Sequence, residues 1–123
     1  MTAARRILLV VSWLYVLGVI VQFFLAGLGS LGGDDFEAHE AMGYAALHFS
    51  PILILVVAYL GKVSRTTILL ALALVVVAFV QPFWVTSFQG ETLGAMHVLG
   101  ALVIFTLAHH IAQRSTRELH ASS

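Results

Sequence analysis

The sequence predicts an all-α, up-down bundle of four membrane-spanning helices with both termini on the same side. Three observations carry this: 60% of the residues are hydrophobic, 10% are charged, and the apolar residues fall into four long runs. A water-facing domain of this size carries roughly 25% charged residues, so most of the outer surface is matched to something other than water. With 123 residues, a single transmembrane domain over residues 1–123 is expected.

The first helix is expected over residues 7–28, uncharged, with Ser12 and Gln22 as its strongly polar side chains. Arg5 and Arg6 would suit a secretory signal, but the run is long and no small-x-small cleavage pattern follows, so it is read as a retained span. Gly29, Gly32 and Gly33 end it. The second helix is expected over residues 37–60, where Asp34 and, three residues on, Glu37 make an arrangement close to a capping box. The third is expected over 67–88, interrupted only by Gln81 and Pro82, and the fourth over 92–113, with three histidines and no acid or base. Residues 61–66 and 89–91 supply the later links. A run of 22 residues at 1.5 Å per residue crosses a hydrocarbon core of ~30 Å. Continuous apolarity excludes a β-barrel, whose strands alternate. Pro51 and Pro82 each remove a backbone donor and predict bends near residues 47–51 and 78–82.

Charge predicts the orientation. Arg5, Arg6, Lys62, Arg65, Arg114 and Arg117 are all the basic residues of the chain, and they share the side of the termini and the middle link. Asp34, Asp35, Glu37, Glu40 and Glu91 lie in or beside the loops of the other side. The positive-inside rule then places both termini in the cytoplasm. Zero net charge and the lack of a basic patch argue against nucleic acid as a partner. The absence of cysteine removes disulfides, thiolate metal sites and thiol nucleophiles. No Ser-His-Asp, phosphate-loop or dinucleotide motif is present, and no catalytic residues are expected.

Histidines inside membrane helices are costly and mark functional sites. His39 lies about one turn into the second helix and His97 about one and a half turns into the fourth. Both helices run from outside to inside, so the rings are expected at matched depth below the outer face. In an up-down bundle these helices are diagonal neighbours, about 12–15 Å apart for adjacent axes 8–10 Å apart. That gap suits two imidazoles with an iron porphyrin between them. Gly43 and Gly100 lie one turn deeper on the faces of His39 and His97 and are expected to leave room for the macrocycle.

A short internal repeat supports the pairing. Gln22 precedes His39 by 17 residues, and Gln81 precedes His97 by 16. The chain therefore reads as two hairpins about a pseudo-two-fold axis along the membrane normal. With Gln22 and Gly27 on the first helix and His39 opening the second, the plan resembles one half of the haem A synthase family. That resemblance implies a b-type haem held by two histidines in a four-helix bundle. It departs where those enzymes usually have a basic residue after a histidine, for Glu40 and Val98 stand here. The His39-x-x-x-Gly43 pattern and the Gln81-Pro82 pair are also similar to a family of small bacterial four-helix membrane proteins, which implies a bacterial plasma membrane.

The remaining histidines are expected outside the site. His48 falls on the opposite face of its helix from His39, to meet a partner helix or a carbonyl freed by Pro51. His109 and His110 point about 120° and 140° from His97 at 100° per residue, and His120 is in the polar tail. Two axial histidines leave iron no open position, so the expected function is electron transfer by a small cytochrome b carrying haem b. A quinone or a redox protein is the expected partner, and Trp13, Tyr15, Tyr44 and Trp84 are candidates to border the site. A homo-oligomer and a stand-alone enzymatic activity stay open. One alternative is a Zn²⁺ or Cu²⁺ site built on His39, Glu40, Glu91 and His97 with Asp34 or Asp35. Another is a cofactor-free accessory subunit whose histidines only bridge helices.

Overall fold

A computed structural model describes residues 2–32, 36–88, 90 and 92–121. Four helices are long and apolar enough to cross a membrane. They are α1 (Thr2–Leu31), α2 (Glu37–Leu60), α3 (Arg65–Phe88) and α4 (Thr92–His120). The described residues form no strand. The first and last helices are longer than the apolar runs predict. Helical hydrogen bonding continues past the apolar stretch, and in α4 it carries Arg114, Arg117 and Glu118. α2 begins at Glu37, and Asp34, the residue expected to cap it, lies outside the described residues.

The helices pack around a square, α1 against α2 and α4, and α3 against the same two. This leaves α2 and α4 on a diagonal, as the hairpin reading predicts. One end of the square holds the termini and the link 61–64, and so the basic residues; the other is the acidic end. The outside carries broad apolar surface, including Leu14, Leu17, Phe24, Leu53, Leu72, Val76, Val98 and Leu99. In water such a surface would drive association.

The buried side chains lie in the middle of the bundle and toward its basic end. They include Leu8, Tyr15 and Val19 on α1, Ile54 and Ala58 on α2, Ala71 and Leu74 on α3, and Ile104, Ala108 and Ile111 on α4. In the acidic half, among the described residues of 20–50 and 79–103, none is buried. The helices are therefore packed more closely toward the basic end than at the acidic end.

The pseudo-symmetry extends through the core. Leu8, Ser12, Tyr15 and Val19 on α1 are matched, each 59 residues later, by Thr67, Ala71, Leu74 and Ala78 on α3, all of them buried. Pro51, Ile54 and Ala58 on α2 are matched 57 residues later by Ala108, Ile111 and Ser115 on α4, again all buried. His39 and His97 are 58 apart, so α2 holds one residue more than α4 between its histidine and its core. A π-helical turn at Gly43–Leu47, closed by His48 N–H donating to Gly43 O at 2.8 Å, absorbs that residue.

The break predicted at 47–51 is therefore real, and its cause is both the π turn and Pro51 at the start of the next α-helical stretch. Pro51 has no N–H for the carbonyl of Leu47, and the Tyr15 hydroxyl donates to that oxygen at 3.2 Å. A buried carbonyl left unpaired costs about 1–3 kcal/mol, so Tyr15 stabilises the kink. The sequence offers this carbonyl as one of two expected contacts for His48. Pro82 lies inside α3, which remains helical to Phe88.

The basic end is tied by polar contacts. The Glu118 carboxylate accepts from Ser64 N–H at 3.0 Å, Ser64 Oγ at 2.6 Å and Thr67 Oγ1 at 2.7 Å. Arg5 Nε donates to Gly61 O at 3.0 Å, joining α1 to the link between α2 and α3.

Candidate functional site

The diagonal placement of α2 and α4 brings His39 and His97 together at the acidic end. Their ring centroids are 6.1 Å apart and their planes are 69° from parallel. Each ring is half-buried. Phe36 sits edge-on to His39 at 6.0 Å.

Each histidine is bracketed by a glutamine from the preceding helix. His39 Nδ1 lies 3.2 Å from Gln22 O, while Gln22 Nε2 donates to His39 O at 2.7 Å. His97 Nδ1 lies 3.1 Å from Gln81 O, and Gln81 Nε2 donates to His97 O at 2.6 Å. The two halves of the bundle thus repeat one arrangement in four hydrogen bonds. A backbone carbonyl can only accept, so the Nδ1 facing it must carry the proton. In the neutral rings both Nε2 atoms then hold lone pairs. Among the described residues no hydrogen bond to either Nε2 is formed.

Gln22 Oε1 and Gln81 Oε1 are buried and find no hydrogen-bond partner among the described residues. Turning either amide over would set its oxygen against a histidine carbonyl, so the orientation is forced. Each orphan acceptor costs about 1–3 kcal/mol relative to a satisfied one.

Gly43 and Gly100 have a different use from the one the sequence suggests. A Cβ on Gly43 would stand 3.0 Å from Gln22 Nε2. A Cβ on Gly100 would stand 3.0 Å from Gln81 Cδ and collide outright with Gln81 Oε1. A glutamine amide occupies the room beside each glycine. Gln22 and Gln81 are visible in the sequence as repeat markers, but not as site residues. Their being amides inside otherwise apolar spans, at matched spacing from a histidine, is the signal that points to them.

The other histidines do not join the pair. His48 packs against Phe79 at 4.4 Å and Phe49 at 4.7 Å, which is the partner-helix contact expected of it. His109 stacks on Phe105 at 6.0 Å, meets Trp13 edge-on at 5.9 Å, and its Nε2 lies 3.3 Å from Gln113 Nε2. His110 Nδ1 faces Thr106 O at 2.9 Å. Of the four aromatic candidates, Trp13 donates to Thr116 Oγ1 and Tyr15 to Leu47 O, both away from the pair. Tyr44 contacts His48, and Trp84 packs with Phe83 and Phe88. For the divalent-metal alternative, no group of three or more His, Cys, Asp or Glu gathers among the described residues. Asp34, Asp35 and Glu91 lie outside them.

These features define a class: a four-helix protein with apolar spans that carries a two-fold Gln–His pair at one end of its bundle. The chain belongs to the DUF6220 family, a family of unknown function whose model matches residues 22–87. The matched segment includes Gln22, His39, Gly43 and Gln81, and it ends before His97. No curated protein and no solved structure matches the chain.

Proposed function

We propose that this chain is a small membrane-bound cytochrome b, inserted with both termini in the cytoplasm, that holds haem b between His39 and His97 near the outer face. The observation that carries the reading is the pair itself. Two metal–nitrogen bonds of ~2 Å, each with roughly 1.1 Å from nitrogen to ring centre, separate coaxial imidazole centroids by about 6 Å. The centroids here are 6.1 Å apart. The Nδ1 contacts to backbone carbonyls are the outer-shell bonds that metal-ligating histidines make, and they leave Nε2 as the ligand atom. The looser packing of the acidic half supports the same reading, as does the likeness of the hairpin plan to half of a haem A synthase.

When bound, the haem supplies a one-electron couple. His39 and His97 would hold its iron, and a metal with two protein ligands would suit the site to electron transfer. The protein's own contribution is a low-polarity bundle around the ligands and two fixed imidazole orientations. A membrane quinone or a redox protein reached from the outer face is the proposed exchange partner. The basic residues at the end holding the termini support a cytoplasmic placement of that end.

The purified protein is expected to be red, with a Soret band, sharp α and β bands on reduction, and about one iron per chain, as one pair of axial ligands requires. A colourless protein that takes up no haem from solution would refute the reading. For orientation, tags at either terminus are expected to be reachable only from the cytoplasm, and a tag in the 29–34 loop only from outside. Protease cleavage of a terminal tag in intact cells would reverse the placement.

A further inference from the structure

The glutamines have no part in holding haem directly, yet both halves repeat their bonds to the histidines. Filling the space beside Gly43 and Gly100 does not require an amide. Leucine or methionine would fill it without a buried oxygen that lacks a partner, and both glutamines carry that oxygen. What only the amide provides is the Nε2–H donor to the histidine's own carbonyl, at 2.7 Å for His39 and 2.6 Å for His97. That bond and the ring's Nδ1 contact close a loop between two helices. The amide holds the histidine main chain at the distance from which its ring reaches the glutamine carbonyl.

We propose that Gln22 and Gln81 are positioning residues that lock His39 and His97 as Nδ1–H tautomers, keeping both Nε2 lone pairs open to a ligand between them. For the redox consequence this deepens the haem reading and rests on it; the tautomer lock does not. A ligating imidazole whose Nδ1–H donates to a carbonyl is a more basic donor, so it favours the oxidised metal.

The test uses the full chain in detergent with ¹⁵N-labelled histidine, first without haem. At pH 8 the wild-type nitrogen spectrum is expected to show a protonated Nδ1 and a bare Nε2 at both positions. Gln22→Met, which keeps length and packing but has no donor, is expected to give a tautomer mixture at His39 and leave His97 unchanged. Gln81→Met is expected to do the converse. Gln22→Glu, whose neutral carboxyl can donate the same bond, is expected to restore the wild-type pattern once protonated. In the fraction of each Met variant that takes up haem, the preference for the oxidised state is expected to fall about tenfold, a rise in potential of about 59 mV. A wild-type Nε2–H tautomer overturns the proposal even if neither Met variant folds. Met variants with wild-type tautomers overturn it too, and so does a wild-type potential after loading. If no version of the chain takes up haem, the cytochrome reading fails, and the apoprotein spectra alone decide the lock.

Discussion

His39→Ala is expected to lower bound haem per protein by about tenfold or more, and His97→Ala to do the same. Loss of an outer-shell partner alone costs metal affinity 10–100-fold in comparable sites, and these changes remove a ligand itself. The pair lies across a diagonal, so no described histidine is placed to take over: His48 is held among aromatic rings and His109 is stacked on Phe105. His48→Ala, His109→Ala and His110→Ala are therefore expected to keep most of the haem. The measurement is Soret absorbance against protein, with membrane insertion checked in parallel. Loss of the Soret band in His48→Ala with its retention in His39→Ala would sink the assignment.

The second large effect is expected at Gly100. Gly100→Leu drives a branched side chain into the Gln81 amide, which has no lateral freedom because Nε2 is bound to His97 O at 2.6 Å. The bracket must open, and haem retention is expected to fall by roughly tenfold, the scale of a lost outer shell. Gly43→Leu is expected to act in the same direction but less strongly, since its first contact is at 3.0 Å and with the far end of the Gln22 side chain. Insertion is expected to be normal in both, because Leu raises the summed apolarity of the span. A normal Soret-to-protein ratio in both variants would show that the glycines matter only for close helix packing.

Much of this architecture is legible in the sequence. The length and apolarity of the four runs dictate the helices, and short links force neighbours in sequence to be neighbours in space. From that alone His39 and His97 fall on a diagonal and at one end, where the structure has them. The Gln–His spacing is visible too, as 17 and 16 residues. Its meaning is not, because periodicity cannot say that an amide reaches a carbonyl on the next helix. For the same reason the glycines read as open space when they are seats for side chains. The Tyr15 bond to Leu47 O is hidden because it depends on the kink, which spacing locates but does not orient. The network around Glu118 is hidden because it joins residues more than 50 positions apart.

The π turn has a consequence for angular phase. Each residue of an α-helix advances the chain by 100°. One surplus residue in a regular α2 would thus swing His39 a quarter-turn or more away from the side on which Ile54 and Ala58 pack. A wider turn of backbone at Gly43–Leu47 takes up that surplus locally. The packed stripe at one end and the imidazole at the other keep the same bearing, as they do on α4 without any such device. Sequence halves that have drifted out of step by one residue can therefore still aim their rings at each other, since the mismatch is stored as winding and not passed on as rotation.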